Sequence, residues 1–426
     1  MGSAKKQQMN EWEQGWSSVA KSVCDECLTE PALAAAVQGA VDADACDYCG
    51  RRSEESIAAP VDVVLDALVR GLRAEYGDPN DEGALWVSKD GGFQVNTYDT
   101  EDLLWDFEVT ENADLHADLS RAIDHTWCQR EPYRPTDHEA LSWGWERFRE
   151  HVTRHARYTF PLRTPGSEEQ RNWGEIPPED MPQALAQTIQ SGGLTRVIPA
   201  GTRWVRARLH RAAENPRSAK ELGSPPSEWA KTNRMSAAGI SAFYGASTQT
   251  GALDEVAGYA EPGAYATTGT WETIRPMLVV DLVNLPVIPS LFDPERRDLR
   301  PALSFLHGFT ADVVRPARPD DHQNLDYVPT QVIAEYFHQL LRNSEGLPVM
   351  GVLWRSSKDS SVTDCVLFVG NDGCVEQGSE RLGEVDVSWL ALIPGTQRRG
   401  RFAHTPRWVE DRPEAETWSG PPSPPL

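Results

Sequence analysis

Two Cys-x-x-Cys pairs, Cys24/Cys27 and Cys46/Cys49, stand with 18 residues between them near the start of the chain. Thiols in this pattern meet when two short turns bring them to one point. Four thiolates around a point are the tetrahedral donor set of a structural zinc ion. Tyr48, Gly50 and the neighbouring Asp25, Glu26, Asp42 and Asp44 suit tight polar turns around such a site. Four sulfurs fill the coordination sphere, so the expected metal staples structure and does no chemistry. Cys128, Cys365 and Cys374 bring the total to seven, and an odd number argues against a disulfide framework.

The chain has 426 residues, more than one ordinary domain, so two or three are expected. Apolar residues make up 39%, enough for real cores. No run of about 18 apolar residues is present, which argues against a membrane span. Met1 to Asn10 is polar and basic with no apolar stretch behind it, so a cytoplasmic location is expected. The net charge of −23 argues against nucleic acid as a general partner. It does not argue against an anionic small molecule, which a few placed arginines can hold.

The pattern along the chain predicts residues 1–160 as a mainly helical N-terminal domain carrying the cysteine site at 24–49. Pro60 opens a helix whose Val61, Val64, Leu65, Leu68, Val69 and Leu72 share one face. A Gly91-Gly92 turn joins two strand-like pieces. A second long helix is expected over His138–Tyr158, with Leu141, Trp145, Phe148 and Val152 as its buried stripe. Pro, Gly and acidic residues predict a linker over 161–193. From 194 to 395 strand-like runs ("WVRARL", "AFYGAS", "PMLVVDLV", "PVMGVLWRS", "DCVLFV") mix irregularly with helical pieces at 250–258, 301–311 and 330–343. That mixture predicts an α+β domain. The Arg-, Pro- and Ser-rich stretch 396–426 reads as a flexible tail. No GxGxxG or phosphate-loop motif is present to support a Rossmann or P-loop NTPase fold.

Within 194–395 polar residues punctuate the strand-like runs. Arg206 and Arg208 share one face of a strand. Asn233 and Arg234 precede Tyr244, which is followed by Glu255 in "GALDEV" and by Ser356 and Ser357 in "GVLWRSS". The blocks "WVRAR", "PPSEWAKTNRMSAAGISAFYGAS", "GALDEV", "DYVPTQVIAEYF" and "GVLWRSS…DCVLF" resemble, in order, those of the RES domain, a family named for its arginine, glutamate and serine. The resemblance implies an ADP-ribosyltransferase-like fold. It also implies an enzyme that takes NAD as substrate, as an NAD-degrading toxin or defence effector acting by hydrolysis or phosphorolysis. ADP-ribosyl transfer to a macromolecule is the alternative. By position it implies Glu255, Arg206, Arg234 and Ser356 as catalytic residues, with Arg206, Arg234, Tyr244 and Ser356 contacting NAD. Gly251 departs from the family, where many members carry threonine, and Asn233 beside Met235 stands where the family has glycine.

The chemistry suits these residue types. Breaking the nicotinamide–ribose bond develops oxocarbenium character, which a carboxylate such as Glu255 stabilises. Two arginines grip a pyrophosphate through planar charged donors. Tyr244 can stack on a base, and Ser356 can hydrogen-bond an amide or a ribose hydroxyl. Taken singly, Arg208 reads as an ordinary strand residue and Tyr244 as core. The ordered set carries the argument.

"WGWERFREHVTRHARYTF" at 143–160 resembles the end of a HEPN/RES N-terminal domain. Some HEPN proteins are ribonucleases with an arginine and a histidine a few residues apart. Arg149 and His155, with five residues between them, fit that pattern. His155 also falls on the predicted buried stripe, which favours a packed residue and a zinc-stapled regulatory or scaffolding domain. The resemblance further implies control by an antitoxin or inhibitor protein encoded elsewhere, and it leaves a homo-oligomer open.

Overall fold

The computed structural model describes residues 13–89, 91–162, 174–258, 260–261, 263–315, 323–381, 388–402 and 407–411. The chain divides into two units. One comprises 1–141, 168–175 and 286–305, and the other 142–167, 176–285 and 306–426.

In the first unit the strand Ser22–Cys24 pairs antiparallel with Ala58–Pro60, placing Val23 opposite Ala59. The helix Pro31–Gln38 follows the first cysteine pair, and Glu30 caps it by accepting from the Leu33 backbone N–H at 2.8 Å. The helix Val61–Glu75 buries the stripe Val61, Val64, Leu65, Leu68, Val69 and Leu72, as its periodicity requires. Gly71 lies on that buried face, and a Cβ there would come 2.3 Å from Cδ1 of Phe292. The missing side chain is what lets this ring pack against the helix.

Helices Thr100–Asp106 and Ala113–Ala122 complete the core, the latter capped by Asn112. Short strands precede and follow these two helices. Trp86–Val87 pairs with Gly92–Phe93 across the expected glycine turn, and Tyr76–Gly77 and Thr97–Asp99 flank Thr126–Gln129. The unit is therefore mixed, which corrects the expectation of a mainly helical domain. Strands of two to four residues are too short to display an alternating pattern.

The described residues of the second unit form an eleven-stranded sheet. Its strands are β1 (Thr195–Ile198), β2 (Arg203–His210), β3 (Phe243–Ala246), β4 (Tyr265–Thr273) and β5 (Met277–Asp281). They continue as β6 (Val349–Arg355), β7 (Thr363–Leu367), β8 (Cys374–Glu376), β9 (Leu390–Leu392), β10 (Arg398–Phe402) and β11 (Trp408–Glu410). The order is β8-β9-β4-β2-β3-β7-β6-β5-β1, with β10 and then β11 beside the free half of β4. The β5–β6 and β8–β9 pairs are parallel and the others antiparallel. Trp204, Phe243, Trp271, Leu353 and Leu367 belong to the larger core of this unit. Ala207, Ala246, Ala252, Leu253 and Val362 form a smaller one under the helix Gln249–Ala257.

Two boundaries differ from expectation. Met181–Ser191, inside the expected linker, is a helix that buries Met181, Leu185 and Ile189. The polar, Pro-rich run ahead of it masked its apolar period, and residues 163–173 of that stretch lie outside the described residues. The expected tail from 396 contains β10 and β11, whose pairing is made by backbone groups and so leaves no apolar signature. Residues 412–426 of that tail also lie outside the described residues.

The helix predicted over His138–Tyr158 spans Asp137–Arg154. Trp145, Phe148 and Val152 are buried as expected. Trp145 meets Phe309 edge-on with ring centroids 5.0 Å apart. No described helix is long and apolar enough to cross a membrane.

Candidate active site and cysteine cluster

β2 and β3 pair at Val205–Ala246 and there alone. Beyond that point the strands part, and a cleft of about 510 Å³ opens, within the range of small-molecule sites. Arg206 and Ala207 line it from one strand, and Tyr244 and Gly245 from the other. Glu255, Arg234, Tyr327, Trp354, Ser357, Lys358 and Asp364 complete the polar and aromatic lining. Residues far apart in the chain are gathered because a split in the sheet exposes inward-facing side chains at the middle of a buried layer.

Arg206 donates from Nη1 to the Leu222 carbonyl at 2.8 Å, and its buried Nε–H has no partner among the described residues. Burial lowers Arg206 to about 10, so it stays cationic at neutral pH. Arg208, next on the same face, is exposed and donates to the Glu221 carbonyl, an ordinary structural contact outside the cleft.

Arg234 donates from Nη1 to the carbonyls of Val313 and Arg315 at 2.6 and 2.8 Å, and its guanidinium lies 5.3 Å from the Tyr327 ring centroid. A cation suits these carbonyls at the end of a helix. Its own carbonyl accepts from Thr330 Oγ1 at 2.5 Å, and the Asn233 carbonyl accepts from Gln331 Nε2 at 2.7 Å. The start of the helix Val328–Leu340 thus clamps the loop that carries Arg234. The Tyr244 hydroxyl lies 2.9 Å from Ser236 Oγ and accepts from the Met235 N–H at 3.2 Å. Burial pushes the Tyr244 phenol well above its ordinary range, so it stays protonated.

Glu255 lies on an exposed part of the helix Gln249–Ala257, whose first turn is capped by Thr248. Gly251 of the same helix has no room for a larger residue, since a Cβ would lie 2.5 Å from Val362 Cγ1.

Of the two serines, Ser357 lines the cleft, whereas Ser356 is 6% exposed and lies beneath it beside Asp364. The structure therefore gathers Arg206, Arg234, Tyr244, Glu255 and Ser357 on one cleft and sets Ser356 behind it. Position in the chain barely separates Ser356 from Ser357, because side chains alternate only where the strand is regular, and β6 ends at Arg355.

Asp364 escaped the sequence reading. It is 2% exposed and borders the cleft, and among the described residues neither carboxyl oxygen makes a hydrogen bond of ordinary geometry. Burial, then the adjacent charge of Glu255, pushes it up to about 7. The signal was there: one acidic residue opens the otherwise apolar run "DCVLFV".

Arg149 forms an ion pair with Asp312 at 2.7 Å, and the same carboxylate oxygen accepts from Trp145 Nε1 at 2.8 Å. His155 is exposed, not packed as its place on the stripe suggested, because the helix ends at Arg154.

The four cysteines of the first unit converge. Sγ separations are 3.7 Å for Cys24–Cys27, 3.6 Å for Cys24–Cys49 and 3.7 Å for Cys27–Cys46. Zn–S bonds of about 2.3 Å in a tetrahedron require sulfurs about 3.8 Å apart, so the cluster fits that ion. Burial raises Cys24 to about 11. It also opposes ionisation of Cys46, but N–H groups of Cys49, Tyr48 and Cys24 outweigh it and bring that thiol down to about 7. A ring of N–H donors aimed at sulfur is the surrounding a metal thiolate needs.

Among known protein families, HEPN/RES N-terminal domain 1 matches residues 40–165 and the RES domain matches residues 203–389. No curated protein and no solved structure matches the chain.

Proposed function

We propose, from the premise that this chain joins a HEPN/RES N-terminal domain to a RES domain, that it consumes NAD by cleaving the nicotinamide–ribose bond and serves as a toxin or defence effector. The observation that carries this reading is the cleft at the split between β2 and β3, where Arg206, Arg234, Tyr244 and Glu255 meet. Arg206 and Arg234 offer charged donors for the pyrophosphate. Tyr244, Tyr327 and Trp354 offer aromatic surface for the bases. Glu255 sets negative charge where the ribose becomes cationic. The leaving nicotinamide is already cationic in NAD, so its departure needs no strong acid.

An ADP-ribosyltransferase would use the same donor site and differ in what reaches the ribose. Ribonuclease chemistry at Arg149 and His155 is disfavoured, because Arg149 is already engaged with Asp312. In the N-terminal unit zinc on Cys24, Cys27, Cys46 and Cys49 would fix the fold, with no place in the reaction.

The cellular test is induced expression of the full chain and of Glu255→Gln, with NAD measured in extracts and growth followed. The reading expects NAD to fall and growth to stop for the wild type alone. Equal NAD in both cultures at equal protein level contradicts it.

A further inference from the structure

Asp364 is the second residue of β7, with Ala246 of β3 and Trp354 of β6 as its strand neighbours. Neither neighbour's side chain offers its carboxyl a compensating charge. Its oxygens are buried and border the cleft, and among the described residues they make no hydrogen bond of ordinary geometry, with Ser356 as the neighbouring hydroxyl. A carboxyl in that state carries a desolvation cost, and such costs persist where a bound molecule supplies the missing donor. The groups that bear on it are Glu255 from the helix above, and Ser356 and Lys358 from the loop after β6. The Lys358 ammonium donates to the Asp254 carbonyl, which fixes it at the end of that helix. Two carboxyls thus share the cleft wall, a setting in which one holds a proton that the other does not. Asp364 titrates near neutrality, where a group can both take and release protons.

We infer that Asp364 is a catalytic residue of this cleft, the base that accepts a proton from an attacking water, and that the two-carboxyl wall makes water rather than phosphate the acceptor. This rests on the reading of the cleft as an NAD site. The C1′–N bond of the nicotinamide ribose breaks, and its electron pair leaves with neutral nicotinamide. The water oxygen forms the new bond to C1′. One water proton passes to the Asp364 carboxylate and then to solvent. The products are nicotinamide, ADP-ribose and a proton. With Arg206 and Arg234 engaged by the pyrophosphate and Lys358 held at the Asp254 carbonyl, anionic phosphate would have to approach the ribose against Glu255 and Asp364, whereas water is neutral.

The experiment uses full-length protein and NAD from pH 5 to 9, with and without inorganic phosphate, and resolves the products. ADP-ribose is expected at a rate that phosphate leaves unchanged. Asp364→Asn is expected to lower kcat about 100-fold with KM within about threefold, and to abolish the rise in rate through neutral pH. Formate is expected to restore part of the activity of Asp364→Ala, which a structural role would not allow. A phosphorylated ribose product, wild-type kcat in Asp364→Asn, or inactive variants that formate does not rescue each overturn the inference while leaving NAD cleavage intact. Absence of any NAD loss with the wild type overturns the reading of the site itself, and the inference with it.

Discussion

Asp364, buried in β7, faces Glu255, which stands on the exposed side of the helix Gln249–Ala257, and the two carboxyls share one wall of the cleft. The pairing has a consequence for stability. Asp364 titrates near 7 in the folded chain and near 4 when unfolded, so the native state holds the extra proton between those values. Stability contributed by this group is present below about pH 4 and is lost as pH rises to about 7. Asp364→Asn removes the loss. Its melting temperature should exceed that of the wild type by a margin that grows from pH 4 to pH 7 and is flat above. A constant margin across that range contradicts the assignment.

Arg206 and Arg234 should differ in what their loss costs. Each alanine variant should weaken NAD binding by about 1.5–3 kcal/mol, or roughly ten- to a hundredfold in KM. Arg234→Ala should also lower the melting temperature, because Arg234 ties its loop to the carbonyls of Val313 and Arg315. Lysine should rescue neither, since the planar fork is lost. Steady-state kinetics with thermal melts check both, and unchanged KM in both variants places the pyrophosphate elsewhere.

Purified protein should carry about one zinc per chain on Cys24, Cys27, Cys46 and Cys49. Cys24→Ser should lose the metal and destabilise the first unit, because Cys24 and Cys27 also belong to its core. NAD turnover should be spared as long as the chain stays folded. Metal content by elemental analysis decides it, and full retention in a Cys24→Ser, Cys46→Ser double variant contradicts the site.

Arg149→Ala should act on stability alone. Removing this partner of Asp312, which keeps Trp145 and Arg315, costs about 1 kcal/mol at most for a partly exposed pair, or about 2–4 °C in a domain of this size. RNA cleavage by the wild type that vanishes in this variant would restore the ribonuclease reading.

Much of this was legible in the sequence where a signal is periodic or spaced. The stripe from Val61 to Leu72 and the two cysteine pairs landed as read, because helical period and ligand spacing are local properties. Arg206, Arg234, Tyr244 and Glu255 were readable as an ordered set. What brings them together, the parting of β2 and β3 after one paired position, is a property of strand register that no segment of the chain encodes alone. The choice between Ser356 and Ser357 was not legible because both lie past the end of a regular strand, and Asp364 was missed because it owes its character to burial beside Glu255, 109 positions earlier. Strands such as Trp408–Glu410 were hidden because edge pairing uses backbone groups that composition does not reveal.

The central claim is that this chain cleaves NAD in the cleft between β2 and β3. Its most direct test is proton NMR of NAD incubated with purified full-length protein. The account predicts free nicotinamide appearing in step with loss of the NAD nicotinamide-ribose signal, and no change with Glu255→Gln. NAD that stays intact with folded wild-type protein, or equal cleavage by folded Glu255→Gln, contradicts it.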